Sequence, residues 1–460
     1  MSGRESSSVA VPAAPAKPAA APPSSETGWL PDCVYTGGKF ESGIAFFADA
    51  IGRITRFSRE PADLTAARRL TGQAALPGLV NGHSRSIERV IRGRAGRRHR
   101  AAQDTSPAWR EMRDQAVVRL SGEDIYDTAR MSFMEMILSG ITCAGEFHYL
   151  HNPPDGASWP DPNFLACEIL RAAHDTGIRI ALFKAAAARA CPARFLTPKP
   201  ERFIAEADAL AQFVSRNYHV DEAWVGIAPH SLGAVPLDYL KAVAAFAHDK
   251  RMRFHLPVSE LPSDNEACLA ENGRTPVSLL SKLGLLDKRF TAIHAVHLTD
   301  DEVQLLGAAR ATVCACPTSE RSRGSGAAPV EKFLAAGAAV SLGTDSQTQI
   351  NLLEDARLLA TEPAAALLNA ATVAGARSLG GPGGALEVGR PADFFTVNLY
   401  DPSIAGAEPD ALLDNAIFSL ERRAIRDVWI GARQIISNGR HPLQGPIVGR
   451  FTDLQRRLWA

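Results

Sequence analysis

The 460-residue chain has no excess of either charge. Lys+Arg and Asp+Glu both number 50, so the formal net charge is zero. This removes the general electrostatic case for nucleic acid or an anionic membrane as partner. No uninterrupted apolar run approaches membrane-spanning length, which excludes a helical anchor from the reading. Paired cysteines are also lacking. The seven (Cys33, Cys143, Cys167, Cys191, Cys268, Cys314 and Cys316) are scattered, and none forms a Cys-x-x-Cys pair. Scattered thiols read as buried and reduced, which fits a cytoplasmic protein. Residues 1–27 are rich in Ala, Pro and Ser and lack the apolar stretch of a signal peptide, so they read as a disordered leader.

Hydrophobic residues make up 46% of the chain, enough for one large domain and a small one. From Gly28 to about Ala75, short strand-like runs alternate with Gly and Asp turns. The C-terminal region repeats that texture at Ala392–Asn398 and Ala424–Ile436. The pattern predicts a small β-sandwich domain from 28–75 plus 386–460. Between these ends, 76–385, apolar strand-like and helix-like runs alternate. The strand candidates are Ala75–His83, Ile141–His148, Ile178–Lys184, Trp224–His230, Arg253–Val258, Phe290–His297, Ala311–Pro317 and Ala338–Asp345. Runs this apolar suit strands covered on both faces. Eight such units over about 270 residues are the size of an α/β (β/α)8 TIM barrel.

Polar residues gather at the ends of these runs: His83, Glu146 and His148, His230, His255, His294 and His297, and Asp345. In such a barrel the C-terminal ends of the strands carry the chemistry. The first run, Leu76-Pro-Gly-Leu-Val-Asn-Gly-His-Ser-Arg-Ser86, delivers His83 just past a small turn. A metal-dependent hydrolase needs three or four N/O ligands and one open position for water.

These strand ends resemble the amidohydrolase superfamily, whose pattern is His-x-His on strand one, His on strands five and six, and Asp on strand eight. Three segments narrow the likeness to formimidoylglutamate deiminases. They are Gly145-Glu-Phe-His-Tyr-Leu-His151 with Pro154-Asp-Gly156, Ala228-Pro-His-Ser-Leu-Gly-Ala-Val235, and Ile293-His-Ala-Val-His-Leu298. The resemblance implies one zinc ion held by His83, His255 and Asp345, with His294 and Asp345 as catalytic groups. It places Glu88, His148, Tyr149 and His230 on a small-molecule substrate. The reaction it implies is hydrolysis of N-formimidoyl-L-glutamate to N-formyl-L-glutamate and ammonia. It also implies pairing as a homodimer, although no sequence feature fixes an interface.

Five positions depart from the pattern, one being Glu88, which stands where the likeness has a glutamine. The second strand-one ligand is Arg85, and an arginine stays protonated and offers no lone pair. The sequence after His255 reads Leu-Pro-Val258, so Val258 stands where the likeness expects a proton-carrying Glu; Glu260 follows two residues later. Gly233 replaces an arginine expected on a substrate carboxylate, and Gln347 replaces a histidine. Two readings follow. One is a C–N hydrolase with a weakened metal. The other is a catalytically disabled homologue, a binding or assembly module in which Arg85 pairs with Asp345 in place of metal.

The remaining polar features read more plainly. His148 and His151 also fit a packed strand end. His99, His174, His219, His248 and His441 read as surface residues. The basic run Arg92–Arg100 has no interleaved aromatics and reads as a solvated loop, without nucleic acid as partner. Arg321–Gly326 reads as a mobile loop after strand seven, placed to act as a lid.

Overall fold

The computed structural model describes residues 26–94, 106–359 and 361–460. Most of the Ala/Pro/Ser-rich leader and the part of the basic run from 95 to 100 lie outside the described residues, as does His99. Eight parallel strands form the barrel, and their spatial order follows chain order. They are Leu79–Ser84, Ile141–His148, Arg179–Ala186, Ala223–Pro229, Phe254–Val258, Phe290–His294, Thr312–Ala315 and Ala339–Leu342. The first three are buried at every position, as the continuous apolar runs require. Helices cover them from outside. Gly122–Ile137 begins at a capping box in which Ser121 and Asp124 satisfy each other's backbone N–H groups.

The barrel closes between its first and last strands. Ser84 bridges Asp345 in parallel register. The Arg85 N–H donates to the Asp345 carbonyl at 3.0 Å, and the Asp345 N–H donates to the His83 carbonyl at 2.9 Å. Three of the residues singled out in the sequence therefore form the seam of the barrel.

The β-sandwich draws on both ends of the chain. Its N-terminal strands are Thr27–Thr36, Lys39–Ser42, Ala45–Ala48, Ile54–Ser58 and Arg68–Pro77; its C-terminal strands are Phe394–Asn398, Ile425–Ile430 and Arg433–Ile436. Arg68–Pro77 joins the two contributions, pairing parallel with the first strand and antiparallel with Phe394–Asn398. Trp29, Phe46, Phe394 and Trp429 fill the core, with the Phe394 and Trp429 rings stacked at 4.5 Å.

Two boundaries differ from the sequence reading. The sandwich extends to Pro77, and the barrel starts at Leu79 rather than 76. Gly78 makes the change of sheet, because a Cβ there would lie 2.2 Å from Thr142 Oγ1. At the other end, helix Gln444–Trp459 packs against barrel helix Gly122–Ile137 and not within the sandwich. Arg450 reaches Asp127 at 2.9 Å, Arg457 reaches Asp124 at 2.8 Å, and Trp459 Nε1 donates to the Val90 carbonyl at 3.2 Å.

A buried ion pair fastens the two domains. Arg179 opens the third barrel strand and donates from Nε and Nη2 to the Asp393 carboxylate, at 2.6 and 2.9 Å. Asp393, just before Phe394, also accepts the Gly431 N–H at 2.7 Å. Removing one partner from such a pair strands a buried charge, at a cost of roughly 3–5 kcal/mol. Arg179→Ala is expected to lower the unfolding free energy measured in urea by that amount, and a change below about 1 kcal/mol would mean the clasp adds little.

Candidate functional site at the barrel mouth

Strand alternation sorts the residues at the mouth. On strand one, His83 and Arg85 face the interior, while Ser84 turns to the second strand and donates to Glu146 Oε2 at 2.6 Å. Glu146 also accepts from the Ser86 hydroxyl and N–H at 2.7 and 2.8 Å. Burial raises the Glu146 carboxyl to about 8, against these donors.

Asp345 is fully buried and forms the centre of the site. His83 Nε2 and Arg85 Nε each lie 3.2 Å from its Oδ1. Both are close electrostatic contacts without directed hydrogen bonds. The other oxygen, Oδ2, accepts from Arg323 Nη2 at 2.5 Å. Arg323 Nη1 donates in turn to Glu260 Oε1 at 2.7 Å. The Arg323 guanidinium carbon also lies 4.0 Å from the Trp109 ring centroid, a cation–π distance. His294 joins through both ring nitrogens: Nε2 lies 3.8 Å from Glu260 Oε2, and Nδ1 lies 3.2 Å from Glu320 Oε1. Burial alone would raise Asp345, but Arg323 and Arg85 outweigh it and hold the carboxyl well below its ordinary range. Burial is likewise overcome at Glu260, which Arg323 and His294 lower to about 2, and at His294, which Glu260, Glu320 and Asp345 raise to about 9. At His83 burial prevails and lowers the imidazole to about 4.

Arg323 and Glu320 were not among the residues singled out in the sequence. Both lie on helix Pro317–Arg323, which the sequence reading treated partly as a mobile loop. The missed signal was spacing: Pro317 at a helix start, then Glu320 and Arg323 three residues apart and so on one face.

The structure also separates residues that the sequence reading had grouped. His255 does not join His83 and Asp345. It is the second residue of its strand, below the mouth, where Nε2 contacts the Ser378 carbonyl at 3.0 Å and the ring stacks on Phe183 at 3.8 Å. The residue two further along on the same side is Pro257, which lines the mouth cavity. The His-x-x-Glu spacing of the likeness therefore falls on Pro257 and Glu260, two residues later than read from the sequence. Glu260 occupies the carboxylate position, and a ring without a donor occupies the histidine position. Val258 pairs in register with His294. His148 lies 5.7 Å from the His151 ring with Lys184 among its neighbours, and it does not line the cavity.

Tyr149 donates to Glu88 Oε1 at 2.9 Å, and Arg85 Nη1 lies 3.7 Å from the same oxygen. His230 and Gly233 line the cavity, which has a volume of about 330 Å³ and is also walled by Arg85, Arg113, Glu260 and Arg323. Gln347 donates to Ser84 Oγ at 2.9 Å and accepts from Thr344 Oγ1 at 3.0 Å, so it links the last strand to the first. Ser259, His294, Asp345 and Gln347 all have left-handed backbone, with φ between 41° and 67°. Strain of this kind gathers at functional sites.

These residues do not fit a zinc ion at the position the resemblance implies. Of the expected ligands, His83 and Asp345 are in place, but His255 is turned to a carbonyl. Arg85 directs a guanidinium at one Asp345 oxygen, and Arg323 holds the other. Two cations at one carboxylate repel a third.

Stability should report this network through pH. A raised His294 pKa means stabilisation that is complete below pH 6.5 and is lost as pH rises through about 9. A depressed Glu260 pKa means stabilisation complete above pH 4.5 and lost toward pH 2. Unfolding free energy is thus expected to fall between pH 6.5 and 9 by on the order of 3 kcal/mol, at about 1.4 kcal/mol per pH unit. His294→Gln should reduce that slope, leaving below pH 8 the fall due to the raised Glu146 carboxyl; an unchanged slope would show that His294 does not contribute.

Residues 74–440 match the amidohydrolase family model. The chain is 33% identical to formimidoylglutamate deiminase of Pseudomonas aeruginosa over 405 residues, covering 83% of this chain and 89% of that protein. Among solved structures, an amidohydrolase from Brucella melitensis superposes with a TM-score of 0.86 at 26% identity, covering 94% of this chain and all of that one. An adenosine deaminase from Xanthomonas campestris with bound zinc shares the fold, with a TM-score of 0.81 at 22% identity over 94% of this chain and 98% of that one. On the family match and the extent of the first of these likenesses, the chain belongs to the amidohydrolase family.

Proposed function

We propose that this chain is an amidohydrolase-family protein that binds a small molecule at the barrel mouth without zinc at the family's usual position. The observation that carries this reading is the double engagement of Asp345 by Arg85 and Arg323. In a zinc hydrolase the metal supplies the positive charge that generates hydroxide near neutral pH. Here two fixed guanidiniums supply the charge, and a guanidinium has no open coordination position for water. Gly233 in place of an anchoring arginine argues further against N-formimidoyl-L-glutamate as the natural ligand. The free, mostly buried cysteines fit a reducing compartment such as the cytoplasm.

A second reading, hydrolysis of a C–N bond with a weakly held metal, has one observation in its favour. Glu260 and His294 stand 3.8 Å apart beside Asp345, an arrangement suited to moving protons to a leaving amine. The 33% identity to a formimidoylglutamate deiminase supports the same side.

The two readings separate on metal content and on turnover. The first expects zinc content, by elemental analysis of the purified protein, to be the same in the wild type, His83→Gln and Asp345→Asn. It also expects no ammonia release from N-formimidoyl-L-glutamate at saturating zinc. Zinc lost in both variants, together with ammonia release that falls about 10²–10⁴-fold in Glu260→Gln, would overturn it in favour of the hydrolase.

A further inference from the structure

Among the described residues, one set of three His, Cys or carboxylate side chains brings a ligand atom from each within 4.8 Å of the others: His294, Cys316 and Glu320. All three are buried. His294 ends the sixth strand, Cys316 follows the seventh, and Glu320 lies one helical turn into Pro317–Arg323. His294 Nδ1 stands 3.2 Å from Glu320 Oε1, which also accepts the Cys316 N–H at 2.8 Å. The Cys316 thiol makes one weak contact, with the Cys314 carbonyl at 3.9 Å. His294 Nε2 is buried and has no hydrogen-bond partner among the described residues. His294 and Ala295 are held at φ 67° and 52°, so the backbone that aims this imidazole is strained.

We infer that this chain carries a metal site at His294, Cys316 and Glu320, separate from the family's position around His83 and Asp345. The inference rests on the reading that Arg85 and Arg323 have closed that family position. One nitrogen, one sulfur and one carboxylate oxygen make a donor set suited to zinc and to thiophilic ions such as cadmium. Charge balances on entry. The ion arrives as a dication, Cys316 gives up its thiol proton, and the His294 imidazolium gives up its own; both protons leave to solvent. Asp345 and Glu260 keep their guanidinium partners throughout. The competing role for the three side chains is purely structural, with Glu320 orienting His294 and Cys316 packing beside Ile293 and Cys314.

The test is titration of the metal-stripped full-length protein with cadmium, followed by the ultraviolet absorption of the thiolate–cadmium bond. Roughly one cadmium per chain is expected. Cys316→Ser should abolish the absorption, and Glu320→Gln should weaken binding by at least about 10–100-fold. Cys314→Ser and Asp345→Asn should retain it. Cadmium NMR of the wild type, whose shift reports a sulfur ligand, gives the same answer without relying on a variant to fold. Absence of a thiolate signal at saturating cadmium overturns this inference and leaves the reading of the Asp345 site intact. Binding that survives Cys316→Ser and is lost in Asp345→Asn overturns both.

Discussion

A carboxylate with no access to water must have a counter-charge, and Asp345 is that carboxylate. Leaving it alone in the barrel would cost several kcal/mol, enough to drive protonation or unfolding. Its neighbours follow from this need. Arg85 comes from the first strand and Arg323 from the helix after the seventh. Each arginine brings a further acid: Glu88 beside Arg85, and Glu260 beside Arg323. His294 is then flanked by Glu260 and Glu320, which explains why a buried imidazole is held in its charged form. The network joins the ends of strands one, five, six and eight to the helix after strand seven, which supplies Glu320 and Arg323, and to the turn after strand one, which supplies Glu88.

Much of the fold was legible because the barrel strands are covered on both faces and so appear as uninterrupted apolar runs. The eight runs read from the sequence overlap the eight strands observed, and the two β-rich ends do meet in one sheet through Arg68–Pro77. The boundary at Gly78 was not legible. Leu76 and Leu79 are equally apolar, and only the near contact with Thr142 shows where one sheet ends and the next begins. The helix Gln444–Trp459 did leave a mark, because Ile447, Phe451, Leu454 and Leu458 recur at helical spacing and are buried, but that periodicity does not say that the helix packs on the barrel rather than in the sandwich.

The site was legible in part. His83, Arg85 and Asp345 meet as their strand-end positions implied. His255 went astray because a two-residue slip along a strand keeps the same face, so alternation alone could not reject it. Only depth separates His255 from Pro257. Arg323 was missed because its partners lie 22 and 63 residues away in sequence. A charge that closes a network at such range leaves no local mark beyond helical spacing.

The seam of the barrel carries a lesson for reading sequences of this kind. Main-chain bonds of His83, Arg85 and Asp345, with the Ser84 bridge, stitch the first strand to the last. Gln347 and Ser84 tie the same edge with side chains. The main-chain bonds use backbone groups, so the wall fixes where His83, Arg85 and Asp345 sit and leaves their side chains free to differ. The informative letters are those the wall does not need: a proline or histidine at 257, an arginine or histidine at 85. Family resemblance survives longest where architecture and chemistry share a residue, and purpose has to be sought where they part.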